Sequence, residues 1–353
     1  MQDDRPRSPQ RWTATLALLV VVCLGACRPA AIDSVSEVIV YTSADDVYAR
    51  AMAERFTQAT QIRVLLVTDT EETKSSGLVN RLIAERSRPQ ADVFWSGDLG
   101  RAAILKQRGI AAPYQSPELP PHPPALLDPD HHISVFSARC RVLIYHRDLV
   151  PEGSRPSSLR DLVDPRFAGK ACLANPLFGT TTMHAAALFE AWGDQAGRDF
   201  FKHLTRNRVR MLSSKGEVRR RVASGEFAIG LTDSDDVNVA LNDGAPVGFV
   251  IPDQDNLGTM LIPSAAVLIA GGPHPEPGKR FIDFLLSPAG ETLLAESTAA
   301  QIPLRPGLAT PRLFPKPLSE IKLMTLDTEK LARRMDSLQT GFLREWVSDQ
   351  NAR

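Results

Sequence analysis

The sequence predicts an α/β fold built on a parallel sheet. Short apolar runs, Val38-Ile39-Val40-Tyr41, Ile62 to Val67 and Asp92-Val93-Phe94-Trp95, are bounded by turn residues. Between them, apolar residues recur at three and four, as with Tyr48, Met52 and Phe56 or Leu78, Val79, Leu82 and Ile83. Runs of the first kind read as buried strands and stretches of the second as amphipathic helices; their alternation reads as βαβ units.

A leader precedes this body. Arg5, Arg7 and Arg11 are followed by an apolar run from Trp12 to Leu24 and by Leu24-Gly25-Ala26-Cys27, which looks like a bacterial lipobox. A basic segment, a short apolar segment and a small-residue cleavage site make a secretory signal. The run is shorter than the roughly 20 apolar residues of a spanning helix. Residues 1–26 are therefore expected to be removed, with Cys27 lipidated and residues 27–36 serving as a linker. The alternatives are an ordinary cleaved signal or an uncleaved anchor. The folded part then works outside the cytoplasm, held to the membrane through lipid only, on the periplasmic side or at the cell surface.

After the strand at 92–95, a helix stops at Gly109, placed as the C′ residue that favours glycine. Seven prolines from Pro113 to Pro129 break all periodicity and read as a surface loop. A long strand at 133–145 follows, long enough to cross between lobes. Strands are then expected at 171–174, 209–212, 227–231, 247–251 and 259–270, and helices at 181–192, 216–223, 235–241, 277–286 and 288–296. Asp327 is a candidate N-cap for a helix carrying Leu331 and Met335 on one face, and Phe342 and Trp346 sit four apart on a last helix.

Composition excludes several functions. The chain has 353 residues, 43% of them apolar, and 41 residues of each charge; loss of 1–26 removes three Arg and two Asp, leaving 38 basic and 39 acidic. That balance offers no basic surface for nucleic acid. Besides Cys27 the mature chain has only Cys140 and Cys172, which read as a disulfide or as two buried thiols. No phosphate-binding loop, dinucleotide glycine fingerprint or Gly-x-Ser-x-Gly elbow occurs. His131-His132 lies in the proline-rich loop without a spaced partner and reads as solvated, and His184 reads as a partly buried helix residue.

The positive signal lies at the strand ends, where open α/β sheets bind ligands. Four segments qualify: Thr42-Ser43-Ala44-Asp45-Asp46, Ser96-Gly97-Asp98, Asn175 through Gly179-Thr180-Thr181-Thr182, and Thr232-Asp233-Ser234-Asp235-Asp236. Helix capping explains any one of them. Together they carry more carboxylates than caps require, and converging carboxylates need a cation or a donor-rich solute between them. The third segment, with free N–H groups and hydroxyls, suits an anion.

Val-Ile-Val-Tyr-Thr-Ser at 38–43, Ala-Asp-Val-Phe-Trp at 91–95, Leu-Val-Asp-Pro-Arg-Phe-Ala-Gly-Lys at 162–170, Leu-Ala-Asn-Pro at 173–176 and Phe-Ile-Asp-Phe-Leu-Leu-Ser-Pro at 281–288 resemble the bacterial ferric-iron-binding type of periplasmic substrate-binding protein, which serves ABC importers. The resemblance implies a two-lobed periplasmic-binding-protein fold of type II, with two crossing hinge strands and C-terminal helices. Its lobes map to 37–138 plus 263–310 and to 139–262, with 311–353 as a helical tail. Where ferric binders carry two adjacent tyrosines, this chain has Asp235-Asp236; the first-loop histidine is matched by Asp45 or by Asp46, and the second-loop acid by Gly97 with Asp98 beside it.

The resulting expectation is a monomeric extracytoplasmic solute-binding lipoprotein that hands cargo to an ABC permease and performs no catalysis. The cargo is expected to be an iron-type metal ion held by Asp45, Asp98, Asp235 and Asp236, with no resident cofactor. Thr42, Ser43, Gly179, Thr180, Thr181 and Asp233 complete the ligand site, Thr180 and Thr181 holding a synergistic anion. The alternative cargo is a small phosphorylated, phosphonate or other anionic organic solute. A metal-assisted hydrolase and a sensor lipoprotein are the alternatives of other classes.

Overall fold

The computed structural model describes residues 1–2, 36–69, 76–121, 126–314 and 316–352; the leader and Cys27 lie outside the described residues. Chain order begins with β1 (Glu37–Thr42), α1 (Asp46–Thr60), β2 (Arg63–Thr68), α2 (Ser76–Ala84), β3 (Val93–Ser96) and α3 (Leu99–Gln107). These follow the sequence pattern closely. Val38 and Val40 are fully buried on one face of β1, while α1 turns Tyr48, Ala49, Met52 and Phe56 inward. The α1 anchor is Phe56, whose ring meets Phe281 edge-on at 5.1 Å. Helix α3 ends where Gly109 adopts φ +68, the left-handed geometry that favours glycine.

Next come β4 (Ala111–Ala112), β5 (Ser134–His146), β6 (Ala171–Ala174), α4 (Gly179–Trp192), α5 (Asp194–Arg206), β7 (Arg210–Leu212) and α6 (Lys215–Ala223). Then follow β8 (Ile229–Asp233), α7 (Ser234–Asn242), β9 (Val247–Val250), β10 (Leu261–Ile269), α8 (Pro275–Leu286) and α9 (Pro288–Glu296). Helices α10 (Thr328–Thr340) and α11 (Phe342–Asn351) close the chain. Asp327 caps α10 by accepting from the Lys330 N–H at 3.0 Å, as its sequence position suggested. Helix α5 and the short β4 are additions to the sequence reading.

The sheet is mixed, which corrects the expected parallel arrangement. Its main path runs β2-β1-β3-β10-β5-β8-β6-β7, with β4 on β10 and β9 on β5. Pairs β1–β2, β1–β3, β6–β7 and β6–β8 are parallel. β10 runs against β3 and β5, and β5 runs against β8 and β9. The antiparallel pairs arise because the chain passes between the two lobes along β5 and returns along β10. All 13 residues of β5 are buried. Its first half pairs with β10 and its second with β8 and β9, so one strand belongs to both lobes.

The crossing has a β-bulge. Pro263 faces Ala138 and Ser264 faces Phe136, which leaves Ser137 unopposed at φ +40 and fully buried. One extra residue in a left-handed conformation sharpens the local twist and re-aims the strand beyond it.

Helix α10 lies across α3 and α4, which belong to different lobes. Leu331, Met335 and Leu338 join the apolar cluster around Phe189 and Phe201, while Ala332 joins the one around Phe94 and Leu105. Gln339 donates to the Leu177 carbonyl at 2.6 Å and accepts from Arg101 Nη1 at 3.3 Å. In α11, Trp346 packs edge-on against Phe201 at 5.1 Å, and its Nε1 donates to the Phe201 carbonyl at 3.1 Å. Burying such a side chain contributes about 1.5–3 kcal/mol, enough to hold a short terminal helix in place. Among the described residues no helix is long and apolar enough to cross a membrane.

Candidate functional site

The C-terminal ends of the parallel strands open on a narrow cleft with an enclosed volume of about 30 Å³. One side is lined by Ser43, Gly97 and Asp98; the other by Asn175, Phe178, Gly179, Thr180, Thr181, Ser213, Ser214 and Lys215, with Arg139 of β5 between them. Three of the four polar segments named from the sequence thus reach one crevice.

Its electrostatic centre is Asp233. Asp233 and Arg141 occupy one rung of the β5–β8 ladder, so their side chains share a face, and Arg139 lies two residues along the same strand on that face. Arg141 Nη1 donates to Asp233 Oδ1 at 2.6 Å and Arg139 Nε to Oδ2 at 3.2 Å, while Lys215 Nζ also bonds Oδ2. Burial alone would raise the Asp233 carboxyl, but the attraction of Lys215, Arg141 and Arg139 outweighs it and holds the group well below the usual carboxylate range.

This network sets the polarity of the cleft hydroxyls. Thr180 Oγ1 donates to Asp233 Oδ2 at 2.9 Å and accepts from Arg141 Nη1 at 3.3 Å, so its proton is committed. Thr181 Oγ1 accepts from Arg141 Nη2 at 3.0 Å, which leaves its own proton to donate. No side chain caps α4, and its first turn lines the cleft. Ser214 caps α6 by accepting from the Glu217 N–H at 3.1 Å. Two helix starts therefore direct positive dipole ends toward the crevice.

The aspartates expected to grip a metal are otherwise engaged. Asp98 lines the cleft, but its Oδ1 accepts from the Arg101 N–H at 2.8 Å and caps α3. Asp235 Oδ2 sits 3.5 Å from Arg139 Nε, behind the cleft wall. Burial, with Asp236 nearby, pushes the Asp235 carboxyl up to about 6 despite Arg139. Asp236 accepts from Thr232 Oγ1 at 2.7 Å; burial raises it as well, and Asp45 adds repulsion. Asp45 stands at the N-cap position of α1 without a side-chain capping bond. Among the described residues, no group of three or more His, Cys, Asp or Glu side chains is placed to hold a metal ion. The four-aspartate shell differs from this arrangement because Asp98, Asp235 and Asp236 answer a helix start, a cation and a hydroxyl first.

Other sequence-named residues also have local roles. Thr42 Oγ1 donates to the Trp95 carbonyl at 2.9 Å and accepts from the Ala44 N–H at 3.0 Å, so it joins β1 to β3 outside the cleft lining. Ser43 Oγ accepts from the Gly97 N–H at 2.9 Å at the cleft edge. His184 is buried on α4; burial and Arg141 push its imidazole down to about 3, so it is neutral. Cys140 and Cys172 are separate buried thiols, with β8 between their strands. Burial pushes the Cys140 thiol up to about 12 and raises Cys172 too. Sequence reasoning missed Arg139, Arg141 and Lys215. The available signal was two arginines spaced by two in a strand that is otherwise largely apolar.

Residues 37–297 match the family described as bacterial extracellular solute-binding protein. The chain is similar to iron uptake protein A1 of Synechocystis sp., 27% identical over 307 residues covering 82% of this chain and 80% of that one. It is also similar to a putative 2-aminoethylphosphonate-binding periplasmic protein of Salmonella typhimurium, 30% identical over 295 residues covering 80% and 82%. Among solved structures, the periplasmic binding protein AfuA from Actinobacillus pleuropneumoniae, with fructose-6-phosphate bound, superposes with a TM-score of 0.77 at 23% identity, covering 90% of this chain and 99% of that chain.

Proposed function

Because this chain belongs to the bacterial extracellular solute-binding proteins, which are transport proteins and not enzymes and which deliver solute to an ABC permease, we propose that its cargo is a small oxyanion of the phosphonate or phosphate-ester type. The observation that carries this reading is the donor set of the cleft: Arg139, Lys215 and the free proton of Thr181, beside the uncapped start of α4. Charged donors on a compact anion form the stronger class of hydrogen bond. The Salmonella relative, a putative 2-aminoethylphosphonate-binding periplasmic protein, points the same way. Capture proceeds by closure of the lobes about the β5 and β10 crossings, with the anion accepting hydrogen bonds from Arg139, Lys215 and Thr181.

A second reading, an iron-type metal with a synergistic anion, is favoured by the name of the Synechocystis relative and by Asp235-Asp236 at the start of α7. It requires at least two aspartates to leave the partners described above. The mature protein is proposed to be a monomer, anchored through lipid on Cys27 after loss of residues 1–26.

The deciding experiment is native mass spectrometry with elemental analysis of protein purified without chelator, followed by a thermal-shift panel of 2-aminoethylphosphonate, O-phosphoethanolamine and ferric citrate. Binding at a hundredfold excess over Kd contributes about 2.7 kcal/mol, an easily read shift. Stabilisation by the phosphorus compounds is expected. Stabilisation by ferric iron alone, or a co-purifying metal, overturns the oxyanion reading. A Cys27→Ser form that remains in the membrane fraction overturns the lipid anchor.

A further inference from the structure

The hydrogen-bond polarity of the cleft is lopsided. Thr181, Ser43 and Ser214 each accept a bond from an N–H group, which leaves each hydroxyl proton free to donate. Asn175 Oδ1 accepts from the Leu177 N–H at 3.0 Å, which leaves its amide N–H₂ to donate. Lys215 and Arg139 are donors only. Against these stands one acceptor of a different kind. Asp98 is fully buried, lines the cleft, and uses Oδ1 to cap α3, while Oδ2 has no hydrogen-bond partner among the described residues. Asp233, which does not line the cleft, already receives Arg139, Arg141, Thr180 and Lys215.

A buried carboxylate oxygen without a donor is costly, and an oxyanion without protons worsens it by repulsion. A cargo that brings its own donor satisfies it. We propose that Asp98 is the specificity-determining residue of the cleft: its Oδ2 receives a hydrogen bond from the cargo, so the site selects oxyanions bearing an X–H donor and rejects those that carry none, such as sulfate. The donor is either a hydroxyl on the oxyanion itself or an ammonium or hydroxyl on its substituent. This rests on the oxyanion reading above and deepens it. Sites built around a donor–acceptor match reject analogues lacking the partner by factors far beyond those set by shape alone.

The test is titration calorimetry at neutral pH with three probes: sulfate, which has no donor; inorganic phosphate, which keeps a P–OH; and O-phosphoethanolamine, which adds an ammonium. The wild-type chain is expected to bind phosphate or O-phosphoethanolamine at least ~100-fold more tightly than sulfate. A preference for phosphate assigns the donor to the oxyanion, and one for O-phosphoethanolamine assigns it to the substituent. Asp98→Asn, which still caps a helix but replaces the acceptor by an amide, is expected to compress the ratio to under ~10-fold. Asp98→Ser, also a good cap, repeats the measurement should the Asn form fold poorly. Sulfate binding the wild type as tightly as both phosphorus probes, or a ratio unchanged in both variants, overturns the role of Asp98 alone. Failure of every oxyanion to bind overturns the underlying oxyanion reading together with it.

Discussion

Arg141 and Asp233 face each other on one rung between two strands, 2.6 Å apart and without solvent exposure. The pair is not an isolated ion pair. The same guanidinium reaches Thr180 and Thr181, and the same carboxylate reaches Arg139 and Lys215. The charge that holds the sheet together is also the charge that orients the cleft.

Removing Asp233 therefore leaves the buried Arg141 guanidinium without its carboxylate and Arg139 with Asp235 alone. Asp233→Ala is expected to lower stability by about 3–5 kcal/mol, the usual cost of breaking a buried pair from one side. Guanidinium chloride unfolding followed by circular dichroism reads it as a drop in midpoint at constant slope. A midpoint equal to the native one would show that the network stores little stability.

Thr181 separates from its neighbour by the direction of its hydroxyl. Thr181→Ser keeps the donor and is expected to hold the affinity for O-phosphoethanolamine within about threefold. Thr181→Val removes it and is expected to weaken binding about 10- to 100-fold, the size of a bond to a charged group. Equal affinities of the two variants in calorimetry would place the anion elsewhere.

Asp235 gives a signed pH effect. Its carboxyl stands at about 6 in the folded chain against an ordinary 3.8. Between roughly pH 4 and 6 the folded state keeps a proton that the unfolded chain has released, so this contribution is full below about pH 4 and falls as pH rises through 6. Asp233 is shifted the opposite way, and its contribution is lost only on acidification below its ordinary range. Asp235→Asn is accordingly expected to be more stable than wild type by roughly 1–3 kcal/mol near pH 7 and to converge with it near pH 4. Urea melts at the two pH values check this; a variant destabilised at pH 7 would mean that attraction to Arg139 dominates.

Ser137 occupies a left-handed conformation with a buried hydroxyl that has no hydrogen-bond partner among the described residues. Ser137→Gly is expected to raise stability by up to about 1 kcal/mol, because glycine accepts that geometry without strain and leaves no polar atom behind. A lower melting temperature in calorimetry would show that the hydroxyl has a partner in solution.

Element positions were legible because alternation and periodicity report local burial. The strand at 171–174 and the cap at Asp327 coincide with the structure, and the long strand at 133–145 lies within a residue of it. Helix α5 carries an equally readable stripe, Gly197, Phe200, Phe201 and Leu204, which the sequence reading passed over. The direction of β5 and β10 was not legible, since strand pattern carries no sign. Convergence of Ser43, Asp98 and Thr181 followed from the rule for strand ends. The electrostatics of the site did not follow, because the cations answering Asp233 come from β5 and α6, far away in sequence and hidden in an apolar strand or beside serines. Counting acids alone suggested a vacancy for metal; with their partners beside them, the charges largely cancel.

Helix α10 makes the two halves mechanically answerable to each other from behind. Leu331 and Met335 are embedded in one apolar mass and Ala332 in the other, while Gln339 ties Leu177 to Arg101 across the seam. A wide gape would strip this brace from one of its two seats. Opening beyond what that packing tolerates would expose apolar surface that α10 now keeps from water.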